Sequence, residues 1–198
     1  MSSDFIYTSR AKDAVLHFLQ TAFASENLFE GGNPYLYSSD EKSSRIMIAD
    51  FNTENLNSIQ VKPAMLVVRG QMFPRPLGVG DKNKQTFIGA YETRELLLNI
   101  NMTVNCYARE GLEAERLAVV VFKLFRFLNE DIQKNYEIFD VSAQGIGGET
   151  PAREQLVMVP VILTLAVPDA IKINFNEIQL NKLVVNHSET YLSDEHAR

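Results

Sequence analysis

Residues 96–128, LLLNINMTVNCYAREGLEAERLAVVVFKLFRFL, join two periodicities through one glycine, and few folds satisfy both. Leu98, Ile100, Met102, Val104 and Cys106 alternate with Asn99, Asn101, Thr103, Asn105 and Tyr107. This period of two predicts a strand with one dry and one polar face. After Gly111, residues Ala114, Leu117, Ala118, Val121, Phe122, Phe125 and Leu128 fall at helical spacing, which predicts a helix over 112–128. Glu113 and Glu115 belong in its first turn, where carboxylates favour the positive end of the dipole. Val119, Val120, Leu124 and Phe127 widen the apolar stripe past what one sheet covers, and only a strip around Arg116, Lys123 and Glu130 is left wet. Such a helix needs cover on two sides, from its own sheet and from either a neighbouring copy or the rest of its own domain.

The flanking sequence supplies the other layers. Ala11, Ala14, Val15, Phe18, Leu19, Ala22 and Phe23 form one helical face, with Thr8 or Ser9 placed as its cap. NLFEGGNPYLYSSDEKSS reads as a loop in which Tyr35 and Tyr37 form an extended piece. RIMIADF is a short strand, FNTENLNSIQVK a polar connection, and PAMLVV a buried strand between Pro63 and Gly70. YEIFDVSAQGIGGETPAREQLVMVPVILTLAVP gives two extended runs around a glycine-rich turn from Gly145 to Pro151. The second run is nearly continuous in apolar residues, as for a strand covered on both faces, and Pro160 within it demands an edge or a bulge.

The fold class expected is therefore α+β, a mixed and mainly antiparallel sheet flanked by helices. A chain of 198 residues suits one core domain, here 1–168. It carries a long loop or hairpin arm at 70–94 and an extended C-terminal arm at 169–198. The segment from Arg69 to Arg94 is basic, with Arg69, Arg75, Lys82, Lys84 and Arg94 against Asp81 and Glu92. The whole chain is acidic, at −6 with a pI near 5.1, so it is not built as a whole to neutralise phosphates. One cysteine, Cys106, excludes an intrachain disulfide and a cysteine metal cage. No signal-peptide pattern opens the chain and no apolar run approaches a membrane span, so a soluble intracellular protein without a membrane partner is expected.

Candidate chemistry is thin. Cys106 lies on the apolar face of its strand as a core thiol, and His17, His187 and His196 lack metal-ligand spacing. GIGGE is followed by Thr150 and Pro151 rather than by a lysine and a helix, so it reads as a turn and not a phosphate cradle. No nucleophile elbow or triad appears. The expectation is no enzyme, no cofactor and no metal. Two further readings stay open: a small enzyme with a site assembled from residues such as Glu149, Arg153 and Tyr91, and a nucleic-acid module using Lys82 and Lys84 with Phe73 or Phe87 stacking.

The order of elements over about residues 9–168 resembles the tail terminator proteins of tailed bacteriophages. It is carried by an N-terminal helix, the PAMLVV strand, a long loop, the alternating strand, GLEAERLAVVVFKLFRFL and the closing strands around GIGGETPAREQLVMVPVILTL. Neck and head-completion proteins of the same virions are similar at this level. The resemblance implies a homo-hexameric ring that ends the tail tube and joins it to the head, with no catalytic residue. Its partners would be the tail tube protein and neck or connector proteins, and DNA would pass through without specific binding. It implies a place in the virion, after assembly in the host cytoplasm. By position, Val119, Val120, Leu124 and Phe127 would face a neighbouring subunit, and the loop bearing Phe73, Arg75, Lys82, Lys84 and Phe87 would reach an adjacent ring. The tail from Asp169 exceeds the compact family pattern.

Overall fold

A computed structural model describes residues 6–40, 42–51, 62–75, 85–88, 91–136, 138–152 and 156–174. The elements are α1 (Ile6–Phe23), β1 (Met47–Asp50), β2 (Ala64–Pro74), β3 (Gln85–Ile88), β4 (Tyr91–Ala108), α2 (Gly111–Phe127), α3 (Asn129–Tyr136), β5 (Asp140–Ile146), β6 (Thr150–Pro151) and β7 (Val157–Asn174). The protein is α+β. Its chain divides into one compact unit of Met1–Arg75 and Leu98–Val167 and another of Pro76–Leu97 and Pro168–Arg198.

In the first unit the sheet order is β1-β2-β4-β7-β5, with β6 also on β7. β1 and β2 run parallel, whereas β2–β4, β5–β7 and β6–β7 are antiparallel. The three helices among the described residues lie on one face of this sheet. Their apolar sides (Val15, Phe18 and Leu19 of α1, Leu117, Val121 and Phe125 of α2, Ile132 of α3) form one core with Met65, Val67, Met102, Val104, Cys106, Val161, Leu163 and Leu165 of the strands. The alternation of β4 thus does what its period dictates: Ile100, Met102, Val104 and Cys106 are buried, and Asn99, Asn101, Thr103 and Asn105 are half-buried on the face away from the helices. Tyr107 departs from the polar set. It is buried in a small second core on that face with Met47, Ala64, Leu66 and Leu156, which raises its phenol above the ordinary range through desolvation.

β7 is covered fully on one face only. Val159, Val161, Leu163 and Leu165 are buried, but Ile162 on the other face is 43% exposed, so the apolar run overstated its cover. β7 is also an interior strand, and Pro160 sits where its pairing passes from β5, ending at Ile146↔Val161, to β6 at Thr150↔Met158. There the Gly147 N–H donates to the Pro160 carbonyl at 2.8 Å, and a Cβ on Gly147 would lie 2.6 Å from the proline Cγ. The glycine-rich turn is therefore set by the close approach of a proline ring.

Several expectations need correction. α1 is already helical at Ile6, so Thr8 and Ser9 lie inside its first turn and do not cap it. Tyr35 and Tyr37 join no strand. Only Glu113 lies in the first turn of α2, whose N-cap is Glu110, while Glu115 stands exposed further along. Of the loop or hairpin arm expected at 70–94, it is the hairpin that is present: β2 continues to Pro74 past a register shift between Arg69 and Met72, and β4 starts at Tyr91. In the second unit β3 pairs with the beginning of β4 from Gln85↔Arg94 to Ile88↔Tyr91. β7 runs on to Asn174, beyond the expected end at Val167.

Candidate functional site

The surface of interest is the side of α2 turned away from the sheet. Inward, Ala114, Leu117, Ala118, Val121 and Phe125 are buried. Outward, Val119, Val120 and Leu124 are half-buried and Phe127 is 77% exposed, with Leu112 58% exposed at the opposite end. Glu115, Arg116, Lys123 and Arg126 are exposed between them, so the wet strip is wider than the sequence suggested.

The half-burial of Val119, Val120 and Leu124 has a local cause. The segment after α1 folds back beside α2 and forms two adjoining clefts with it. One, of about 570 Å³, lies between Phe29, Pro34 and Tyr35 on the segment and Leu112, Arg116 and Val119 on the helix. The other, of about 450 Å³, lies between Leu28 and Phe29 and Leu124 and Phe127. Glu30 and Val120 line both. Part of the cover expected for α2 thus comes from its own chain, and the rest of that side is open.

Asn33 holds this wall in place, and sequence reasoning passed over it. It is 7% exposed, its Nδ2 donates to the carbonyls of Phe23 (2.8 Å) and Ser25 (3.0 Å), and its Oδ1 accepts from the Tyr35 N–H (2.9 Å). Gly31 and Gly32 supply the positive φ values, 93° and 102°, that turn the chain there. Phe29 then stacks edge-on between Phe23 and Tyr35, with ring centroids 6.4 and 5.9 Å away. The Tyr35 phenol is raised from its ordinary value by burial first and by the Glu113 carboxylate second, with Arg116 opposing. The signal was present in EGGNP, but only as a loop. Asn33→Ala leaves the Tyr35 N–H without that acceptor and is expected to cost about 1–2 kcal/mol, read by urea denaturation. An unchanged midpoint would show that the wall is held by its rings alone.

The other candidate residues scatter. Phe73 is 39% exposed on the open face of the sheet opposite Asn99. Arg75 is occupied within its own chain, 3.7 Å from Asp140 and with its guanidinium 5.7 Å from the centre of the Phe139 ring. Lys82 and Lys84 lie outside the described residues, and Phe87 is placed on β3 by its backbone alone. Of the enzyme set, Arg153 lies outside the described residues and Tyr91 is placed by backbone only. The Glu149 carboxylate lies against Gly111 at the start of α2, a position that suits a carboxylate by the helix dipole. His17 Nδ1 shares a 2.8 Å hydrogen bond with the Tyr136 hydroxyl, joining α1 to α3. Cys106 is wholly buried and its thiol is pushed far up by desolvation. Among the described residues no three His, Cys, Asp or Glu side chains come together as a metal set, and no helix is long and apolar enough to cross a membrane. No protein-family model matches the chain, and no curated protein matches it.

Proposed function

We propose that the protein is a structural subunit of a bacteriophage tail, forming a homo-hexameric ring at the head-proximal end that terminates the tail tube and joins it to the head or neck. The observation that carries this reading is the open side of α2. A helix whose inward side is fully buried still presents Val119, Val120, Leu124 and Phe127 along a cleft-bearing surface, an arrangement that suits contact with another subunit. Heterologous contacts of one subunit with the next close into a ring when the rotation between neighbours divides the circle. An acidic subunit also suits a passage for DNA, because phosphate affinity comes largely from Lys and Arg. The partners on this reading are the tail tube protein below and neck or connector proteins above.

Val120→Asp tests the surface. Val120 is half-buried at the junction of the two clefts, so a carboxylate there is expected to abolish ring formation on a tail-tube template, seen by negative-stain images. Circular dichroism melting is expected to shift by only a few degrees. Equal loss of fold and assembly would remove the argument from this side of the helix.

A further inference from the structure

The outward ridge of α2 is complementary to itself when reversed. Leu112, Glu115, Val119, Lys123 and Phe127 follow one another at spacings of three, four, four and four, which keeps them on one side of the helix. Val119 stands at the centre. Glu115 lies four residues before it and Lys123 four after, while Leu112 and Phe127 stand seven before and eight after. Both charged residues and both outer apolar residues are exposed.

We propose that two copies of this chain pair through α2, antiparallel about a two-fold axis at Val119. That axis sets Glu115 opposite Lys123 of the second copy, twice by symmetry, and Val119 against its own counterpart. At 1.5 Å per residue it also brings Leu112 to within about 1.5 Å of the level of Phe127 on the other helix. The parallel arrangement would set Glu115 against Glu115 and Lys123 against Lys123, so charge selects the antiparallel one. The cleft linings are balanced too: Glu30 and Glu115 accompany Arg116 and Lys123, and the two patches meet without net repulsion.

A two-fold contact closes at two copies. The pairing does not rest on the ring reading, and where both hold they compete for Val119 and Phe127, so the pair is the form of the free chain and opens before a ring closes. The test is a charge exchange on the full chain, with native mass read by light scattering over a wide concentration range. The unaltered protein is expected at twice 22.4 kDa. Glu115→Lys and Lys123→Glu, each on the surface and each checked for fold by circular dichroism, are expected to weaken the dimer about tenfold or more. The double exchange restores it. A monomer at every concentration overturns the proposal, as does a dimer indifferent to the single changes or one the double exchange fails to restore. Six-copy particles that survive both single changes overturn the pair and leave the ring reading standing. A charge-sensitive dimer that never yields such particles, even with a tail tube as template, supports the pair and removes the ring.

Discussion

Phe125→Ala is expected to lower the unfolding free energy by about 3–5 kcal/mol, the range for removing a large aromatic side chain from a packed interior. Phe125 is 1% exposed, and its ring meets that of Phe18 at 5.1 Å between centroids and an angle of 55°. It is the inward counterpart of Leu124 and Phe127, so it fixes how α2 lies against α1 while its neighbours in sequence remain available outside. The loss has two sources: the apolar area removed from burial, and a cavity that a two-sided contact between helices closes poorly. Phe125→Leu keeps most of the volume and is expected to cost about 1.5 kcal/mol or less. Urea denaturation followed by circular dichroism reads both. Equal costs for Leu and Ala would mean that the ring contact with Phe18, which both variants lose, sets the whole cost and that the volume leucine retains contributes nothing.

The legible parts of this fold are those where one residue's environment follows from its near neighbours. β4 and α2 each carry a period sustained over many residues, and their dry faces are the ones that pack. The same logic fails for α3. Ile132 is its only buried residue, so NEDIQKNY shows no stripe, and the helix is recognisable only through what it packs on. It also fails wherever a strand is defined by a remote partner. The parallel pairing of β1 with β2 and the β2–β4 ladder continuing to Pro74↔Leu98 depend on residues far apart in sequence, and glycine and prolines in that stretch made it look like loop. At the candidate surface, the excess apolar width of α2 was readable from Val119, Val120, Leu124 and Phe127. The wall that half-covers it was not, because Asn33 acts through three hydrogen bonds to backbone that has no periodicity to reveal them.

Alkaline conditions are expected to destabilise the protein steadily above about pH 8.5, the ordinary value for a thiol, and Cys106 is the reason. The folded state buries this thiol completely and holds it protonated far beyond its ordinary range, whereas the unfolded chain lets it ionise normally. The folded value is the raised one, so the stabilisation is fully present below the unfolded value and is lost as pH climbs above it. Unfolding then releases a proton, and each further pH unit removes about 1.4 kcal/mol, close to 3 kcal/mol by about pH 10.5. Tyr35 and Tyr107 are raised in the same direction, chiefly by burial, and add to the slope once the pH passes about 10. Cys106→Ala separates the contributions: it lowers stability at neutral pH by leaving a small cavity, yet its stability is expected to stay nearly flat from about pH 8.5 to 10 where that of the unaltered protein falls. Parallel slopes for the two proteins would show that Cys106 reaches solvent, and with it would go the dry face of β4 on which the packing of all three helices rests.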